Sequence, residues 1–417
     1  MEKLAIFGGK KAITIKSPHW QWPPSSKEKT NNILNYYKNL ENEFQKGVPS
    51  VVKNFEKNFA KFQNRKYALA LNSGTSALLA AFFAVGIKSG DEVIAPTLTF
   101  HATATPLAVL DAIPVLADCE KDTGNICPND IEQKITKKTR AVVITHLCGH
   151  PCDMEKILKI IKKRNLYLIE DCSHAHGSTY KGKKVGNFSD IAVFSLDRNK
   201  MISAGEGGVL ITNKKIFYER SLLFSDFGPR VSNEIKNKFL KKFNDTGLGY
   251  KHRIHPVAAV IANSELKKLS FYIKKRNMVL NSFSKKIKKL PGILPPITRK
   301  NVTRGAFYGY RPFINLKELN NVTLDRFIKI LRAEGMEVRQ SGNPPLHTLK
   351  FFIQKYRSKI LNRKNKQKVL QNNKCPKSKI FYESTISIPT FTFESKKLIN
   401  QYLLAFRKVS YYLKFKK

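Results

Sequence analysis

With 417 residues, 42% of them hydrophobic, the chain is long enough for two or three domains and a large core, and no apolar run nears the ~18 residues of a membrane span. The N-terminal apolar run is too short for a signal peptide and six scattered cysteines are too few for a disulfide scaffold, so a reduced, cytoplasmic protein is expected. The net charge of +44 fits either a binder of nucleic acid or another anionic surface, or the lysine-, asparagine- and isoleucine-rich composition that AT-rich codons produce; no zinc-finger or RNP-like motif accompanies the basic residues.

Residues 1 to about 30 read as an extended arm holding Gly8-Gly9-Lys10-Lys11 and then His19-Trp20-Gln21-Trp22-Pro23-Pro24. The Gly-Gly-Lys-Lys run is not a phosphate loop, because the spaced upstream glycine and the following Ser/Thr are missing. Residues 31–64 carry apolar positions at helical spacing, with a Gly-Val-Pro break at 47–49. From there, strand and helix patterns alternate. Strands are expected at 67–71, 92–96, 113–118, 140–147, 166–170, 190–195 and 209–212, and helices at 76–85, 100–110 and 154–163. Alternation of this kind predicts an α/β fold with a mostly parallel, seven-stranded sheet, whose ligands bind at the carboxyl ends of the strands. After about residue 265 basic helical segments alternate with a few strands, such as 307–314. A smaller α+β domain over 266–417 is therefore expected beside a large domain over 31–265. Residues 361–379 read as a polar helix or exposed loop.

Several strand ends carry reactive groups. Asn72-Ser73-Gly74-Thr75-Ser76 follows a strand and opens a helix, which makes either an anion site or an ordinary N-cap. Phe100, just past Thr97-Leu98-Thr99, is able to stack on an aromatic ring or to pack in the core. His146-Leu147-Cys148-Gly149-His150-Pro151-Cys152-Asp153 resembles a metal cluster but lacks a second ligand pair, and no metal site is expected. At the end of the fifth strand, Asp171 is placed to hold a protonated ring nitrogen, with His174 and His176 close behind. The alternative there is a helix cap and a core histidine. Phe194 to Gly208 runs from a strand through a polar turn with one lysine, Lys200, into Gly205-Glu206-Gly207-Gly208 and a second strand. A lysine shielded from water beside glycines is a candidate Schiff-base nucleophile; the plain alternative is a solvated lysine in a hairpin. These pieces form one hypothesis. A phosphate sits at Gly74-Thr75, a ring stacks on Phe100 with its nitrogen on Asp171, and its aldehyde is bonded to Lys200.

The chain resembles the DegT/DnrJ/EryC1/StrS family of sugar aminotransferases, which use pyridoxal 5′-phosphate (PLP) on fold type I. The likeness runs from KYALALNSGTSAL through EDCSHAHGSTYKGKKVGNFSDIAVFSLDRNKMISAGEGG to the C-terminal PLH and SIPTFT stretches. The resemblance implies an internal aldimine at Lys200 and a pyridine-nitrogen partner at Asp171. It implies a ring-hydroxyl contact at His174, phosphate contacts at Gly74, Thr75 and Ser195, and stacking by Phe100. It also implies a homodimer with shared sites, glutamate or glutamine as donor, and a keto-sugar or keto-cyclitol as acceptor. Two departures stand out. Many relatives have histidine where this chain has Asp197, and the usual N-Y-R-M motif reads Lys251-His252-Arg253-Ile254, which puts Lys251 where an asparagine reaches the partner's cofactor phosphate. The LAIFGGKKAI start, Trp22-Pro23-Pro24 and the R-I-H-P run at 253–256 resemble the subgroup with keto-cyclitol aminotransferases and aminohydroxybenzoate synthases. A PLP-dependent dehydratase or an aromatising synthase is the rival enzyme. The dehydratase branch has histidine in place of the lysine, so Lys200 argues against it. A basic nucleic-acid-binding or regulatory protein on the same fold is the non-enzyme alternative.

Overall fold

A computed structural model of the chain describes residues 2–16, 22–40, 48–353, 360 and 374–415. Residues 1 and 17–21 of the expected arm, 41–47 of the expected helical stretch and its break, and 361–373 of the expected polar segment lie outside the described residues.

Seven short apolar runs become strands: β1 (Tyr67–Leu71), β2 (Glu92–Pro96), β3 (Ile113–Ala117), β4 (Thr139–Thr145), β5 (Tyr167–Asp171), β6 (Ile191–Ser195) and β7 (Gly208–Thr212). They form one sheet in the order β1-β7-β6-β5-β4-β2-β3. All pairings are parallel except those of β7, which runs antiparallel to β1 and to β6. Both faces are covered, which is why the strands read as continuous apolar runs rather than alternating ones. Leu69 and Leu71 of β1, Ile191 and Val193 of β6 and Leu210 of β7 enter one core. Ala68, Ala70, Ala192, Phe194, Val209 and Ile211 enter the core on the opposite face. This is the period-two alternation of strand side chains.

Among the described residues the helices of eight residues or more are α1 (Lys27–Lys38), α2 (Ser50–Gln63), α3 (Gly74–Ala84), α4 (Met154–Arg164), α5 (Lys215–Ser225), α6 (Pro256–Ile287), α7 (Leu324–Ala333), α8 (Pro376–Glu383) and α9 (Lys396–Phe415), with two six-residue helices at Pro128–Gln133 and Pro229–Glu234. Helix α3 is apolar almost all round, and Ala77 to Phe82 are buried under the sheet beside Leu222, Leu223 and Phe224 of α5. Helix α6 starts at Pro256 on a His255 cap, where a missing N–H costs nothing. It joins the two halves of the molecule. Ala259, Ala262, Leu269 and Tyr272 belong to the core of the large sheet. Leu280, Phe283 and Ile287 belong to a second core with α7 and α9. Residue 265, the expected domain limit, lies inside this helix.

Three local expectations change. The expected helix at 100–110 is instead two 3-10 turns, His101–Thr103 and Thr105–Ala108. Pro106 supplies no amide there, and the Thr103 hydroxyl is drawn to Asp171 instead. Of the expected strand at 307–314, Phe313–Ile314 pairs with Ile293–Leu294, and Tyr310 and Phe313 make isolated bridges to Ile388 and Thr385. Gly309 and Pro312 interrupt the remainder, which turns toward a cleft. Residues 2–16 are not a free arm. Leu4, Ala12 and Ile13 enter the second core, and the amides of Ala5 and Ala12 donate to the buried Glu334 carboxylate at 2.7 and 3.0 Å. Among the described residues no helix is long and apolar enough to cross a membrane.

Candidate active site

A cleft of about 1800 Å³ opens at the carboxyl ends of the strands, and Gly74, Thr75, Phe100, Asp171, His174, Ser195 and Lys200 all line it. Each reaches it by a simple route. Ser73 caps α3 by accepting the Ser76 amide at 3.0 Å, and among the described residues nothing accepts the amides of Gly74 and Thr75. These N–H groups point along the positive end of the helix dipole. A Cβ on Gly74 would lie 2.8 Å from that of Ser195, and one on Gly208 would lie 2.3 Å from the Ser73 carbonyl. Glycine at both positions therefore lets β6, β7 and the start of α3 close into one narrow cradle.

Asp171 ends β5 and is buried. One carboxylate oxygen accepts the Thr103 hydroxyl at 2.7 Å and the other the Ser173 amide at 3.1 Å. Thr99, Thr103 and Thr145 continue the hydroxyl chain behind it. His174 is 8% exposed, and its Nδ1 is buried with no partner. Burial, then the charges of Lys200 and Arg311, hold this histidine well below its ordinary range, so the ring is neutral. His176 behind it is pushed down to about 3, chiefly by burial. Phe100 is 48% exposed and leaves its ring open at the mouth, tilted against His101.

Lys200 lies in the β6–β7 connection and is 7% exposed. Its Nζ donates to the Tyr308 hydroxyl at 3.1 Å and sits 4.2 Å from the centre of that ring. Tyr308 in turn stacks on His174 at 4.1 Å between centroids. The Lys200 carbonyl accepts the Trp22 indole N–H at 3.1 Å. Arg276 of α6 lies over the Trp22 ring at 4.4 Å and bonds Thr392 and Met201. Burial draws Arg276 down to about 10, against the opposing charge of Glu394.

Tyr308, Trp22, Arg276 and Arg311 are the cleft residues that sequence reasoning missed. Tyr308 and Arg311 sit in a run that reads as a strand, Arg276 sits in a basic helix, and the Trp-Pro-Pro run carries only a subgroup likeness. Lys251 is not brought to this cleft: it is exposed, with its Nζ 5.9 Å from the Phe227 ring centre.

The metal-like run is a fastening. His146, Glu170 and Cys172 do lie together. However, His146 Nδ1 accepts the Cys152 amide and Nε2 faces Glu170 at 3.0 Å. Glu170 also accepts the amides of Gly186, Phe188 and Ser189 and the Ser189 hydroxyl. His150 Nε2 accepts the Arg299 amide. The ligand atoms of His146 and Glu170, and Nε2 of His150, are already in use.

The cleft fits PLP on its own terms: a glycine-walled anion cradle, a carboxylate at a strand end, an orphaned imidazole nitrogen and a buried amine. Comparison with known proteins agrees. Residues 27–395 match the model of the DegT/DnrJ/EryC1/StrS aminotransferase family. The chain is 36% identical over 312 residues to a GDP-perosamine synthase of Escherichia coli O157:H7, covering 73% of this chain and 79% of that protein. It is 29% identical over 357 residues to a putative L-glutamine:3-amino-2,3-dideoxy-scyllo-inosose aminotransferase of Micromonospora echinospora, covering 84% and 82%. The X-ray structure of the aminotransferase from Psychrobacter cryohalolentis is similar with a TM-score of 0.81 and 26% identity, over 94% of this chain and 98% of that one.

Proposed function

The chain belongs to the DegT/DnrJ/EryC1/StrS aminotransferase family, and from that premise we propose that it moves an amino group from glutamate or glutamine to a keto-sugar or keto-cyclitol with Lys200 as its catalytic base. The observation that carries this is the buried Lys200 amine in one cleft with Asp171, His174 and the open start of α3. The similarity to a GDP-perosamine synthase and to a scyllo-inosose aminotransferase supports a sugar or cyclitol acceptor.

The roles follow from chemistry. The amides of Gly74 and Thr75 and the Ser195 hydroxyl hold the cofactor phosphate. Asp171 takes the pyridine N–H and keeps that nitrogen protonated, and its Thr103 and Ser173 bonds fix the carboxylate's direction. His174 is neutral and offers Nδ1 to the ring hydroxyl. Phe100 covers a face of the ring. PLP, when bound, supplies the electron sink that makes the donor's α-proton removable. Lys200 Nζ is the group that would hold that proton between its removal from the donor and its return, and would do the reverse on the acceptor; one swinging base suffices for both. Tyr308 Oη receives the Lys200 ammonium when it is free.

Lys251 is exposed and is not among the residues lining its own cleft, which suits a contact to the cofactor phosphate in a second copy, and with the family resemblance we infer a homodimer with shared sites. Six unpaired cysteines suit a reducing, cytoplasmic setting.

The test is product analysis. The chain, PLP and L-glutamate or L-glutamine are incubated with nucleotide-linked keto-sugars or free keto-cyclitols. The reading expects a ketone converted to an amine with release of the matching keto acid. Absence of any aminated product across both acceptor sets, with the cofactor bound, would contradict it.

A further inference from the structure

Arg311 is a guanidinium without a partner. Its Nε is buried and unbonded, and it makes no hydrogen bond or ion pair with any described residue. Yet it lines the cleft with Lys200, His174 and Tyr308. Arg198 and Arg339 also line the cleft, but both are exposed to water, whereas Arg311 is part-buried. Arg276 bonds Thr392 and Met201, and Arg332 bonds the Val338 carbonyl. Of the acids lining the cleft, Asp171 is held by Thr103 and Ser173 and Glu394 by the amides of Thr392 and Phe393, and none forms an ion pair with Arg311.

The seat of Arg311 is built. Gly342, at φ +62°, lies so close that a Cβ there would stand 2.6 Å from one guanidinium nitrogen and 2.9 Å from its central carbon. On the other side, a Cβ on Gly309 would stand 3.6 Å from Nε. The guanidinium thus rests on bare backbone. A desolvated charge is costly unless an opposite charge meets it, and the planar fork of arginine matches a carboxylate or a phosphate with two parallel bonds. No described acid bonds Arg311, so its fork is open to an anionic ligand.

Two anions compete for this place. The cofactor phosphate is already provided for at Gly74, Thr75 and Ser195. A sugar nucleotide's diphosphate is separated from the reacting carbon by the sugar ring. The α-carboxylate of an amino donor is attached directly to the carbon whose proton Lys200 removes. Arg311 stands three residues after Tyr308, whose hydroxyl touches Lys200 Nζ, and its charge is felt at His174. We propose that Arg311 is the carboxylate anchor of the amino donor and of its keto-acid product, which sets amino acids apart from simple amines as donors. This rests on the aminotransferase reading above.

The test uses the whole chain in two measurements. In the first, an arginine-selective dicarbonyl reagent labels the wild-type protein, with or without PLP, and the label on the Arg311 peptide is followed by mass spectrometry. Protection by 2-oxoglutarate and not by inorganic phosphate or a nucleoside diphosphate is expected. Protection by the phosphates alone, or by nothing, overturns the proposal. In the second, PLP-loaded protein is titrated with L-glutamate and with 4-aminobutanoate, which lacks the α-carboxylate. Arg311→Gln is expected to raise the half-saturating glutamate concentration on the order of 100-fold, to leave 4-aminobutanoate unchanged, and to keep PLP affinity. Arg311→Lys, which keeps the charge and loses the fork, falls between. Equal glutamate responses in wild type and both variants overturn the anchor. A wild type that binds PLP but ignores glutamate strikes the aminotransferase reading instead, and the labelling result then judges Arg311 alone.

Discussion

Lys200 Nζ and the Tyr308 hydroxyl are 3.1 Å apart, although 108 positions separate the two residues in the chain. The tyrosine ring is locked by its stack on His174, so the hydroxyl is a fixed resting place for the lysine amine. Tyr308→Phe keeps that stack and removes only the acceptor. We predict that it slows the glutamate half-reaction about tenfold, the loss of one hydrogen bond to a charged group, with unchanged PLP affinity. Stopped-flow absorbance checks the rate. A variant as fast as wild type would remove Tyr308 from the account.

Trp22 fixes the other side of the same lysine, through its indole N–H and the Lys200 carbonyl. Trp22→Phe removes that bond and keeps an aromatic face for Arg276. The expected effect is a loss of roughly 1 kcal/mol in stability, measured by urea unfolding, and a lower kcat at similar KM. An unchanged kcat would mean that the bond holds the chain and not the lysine.

The glycine cradle makes a sharper prediction. Gly74→Ala must push a methyl toward Ser195, where only 2.8 Å is available. PLP affinity, read by fluorescence titration, should fall at least tenfold while the far-ultraviolet circular dichroism stays native. Wild-type affinity in this variant would mean that the phosphate sits elsewhere.

Acid stability follows from buried histidines, among them His174, which burial holds well below its ordinary range. His150 and His176 are each pushed down to about 3, mainly by burial. The unfolded chain binds their protons near the ordinary value of 6.5 and the folded chain only near 3, so between these limits the unfolded state holds more protons. Stability is therefore full above about pH 6.5 and falls as pH drops toward 3, by about 1.4 kcal/mol per pH unit for each histidine. Denaturant unfolding from pH 8 to 4 measures the slope. His150→Gln should flatten it by one proton's worth, and an unchanged slope would contradict the assignment.

These predictions differ in how far the sequence could have supplied them. The seven strands are legible because a sheet covered on both faces demands unbroken apolar runs. Lys200, Asp171, His174, Ser195 and Gly74 are legible because each stands at the carboxyl end of a strand or the start of the next helix. Tyr308, Arg311 and Trp22 are not. They belong to segments whose local pattern suggests a strand or a loose arm, and only the packing of the second core against the sheet brings them to the lysine. The Phe100 stretch misled for a related reason: its threonines look tolerable in a helix until Thr103 is seen bonding Asp171.

The central claim is that Lys200, among the many lysines of a strongly basic chain, is the one that bonds the cofactor. The direct measurement is borohydride reduction of the PLP-loaded protein followed by peptide mapping, with the visible spectrum recorded before and after L-glutamate. The account predicts a yellow protein that bleaches with glutamate, a reduced adduct confined to the peptide holding Lys200, and neither signal in Lys200→Ala. An adduct on another lysine, or full transamination by Lys200→Ala, would contradict it.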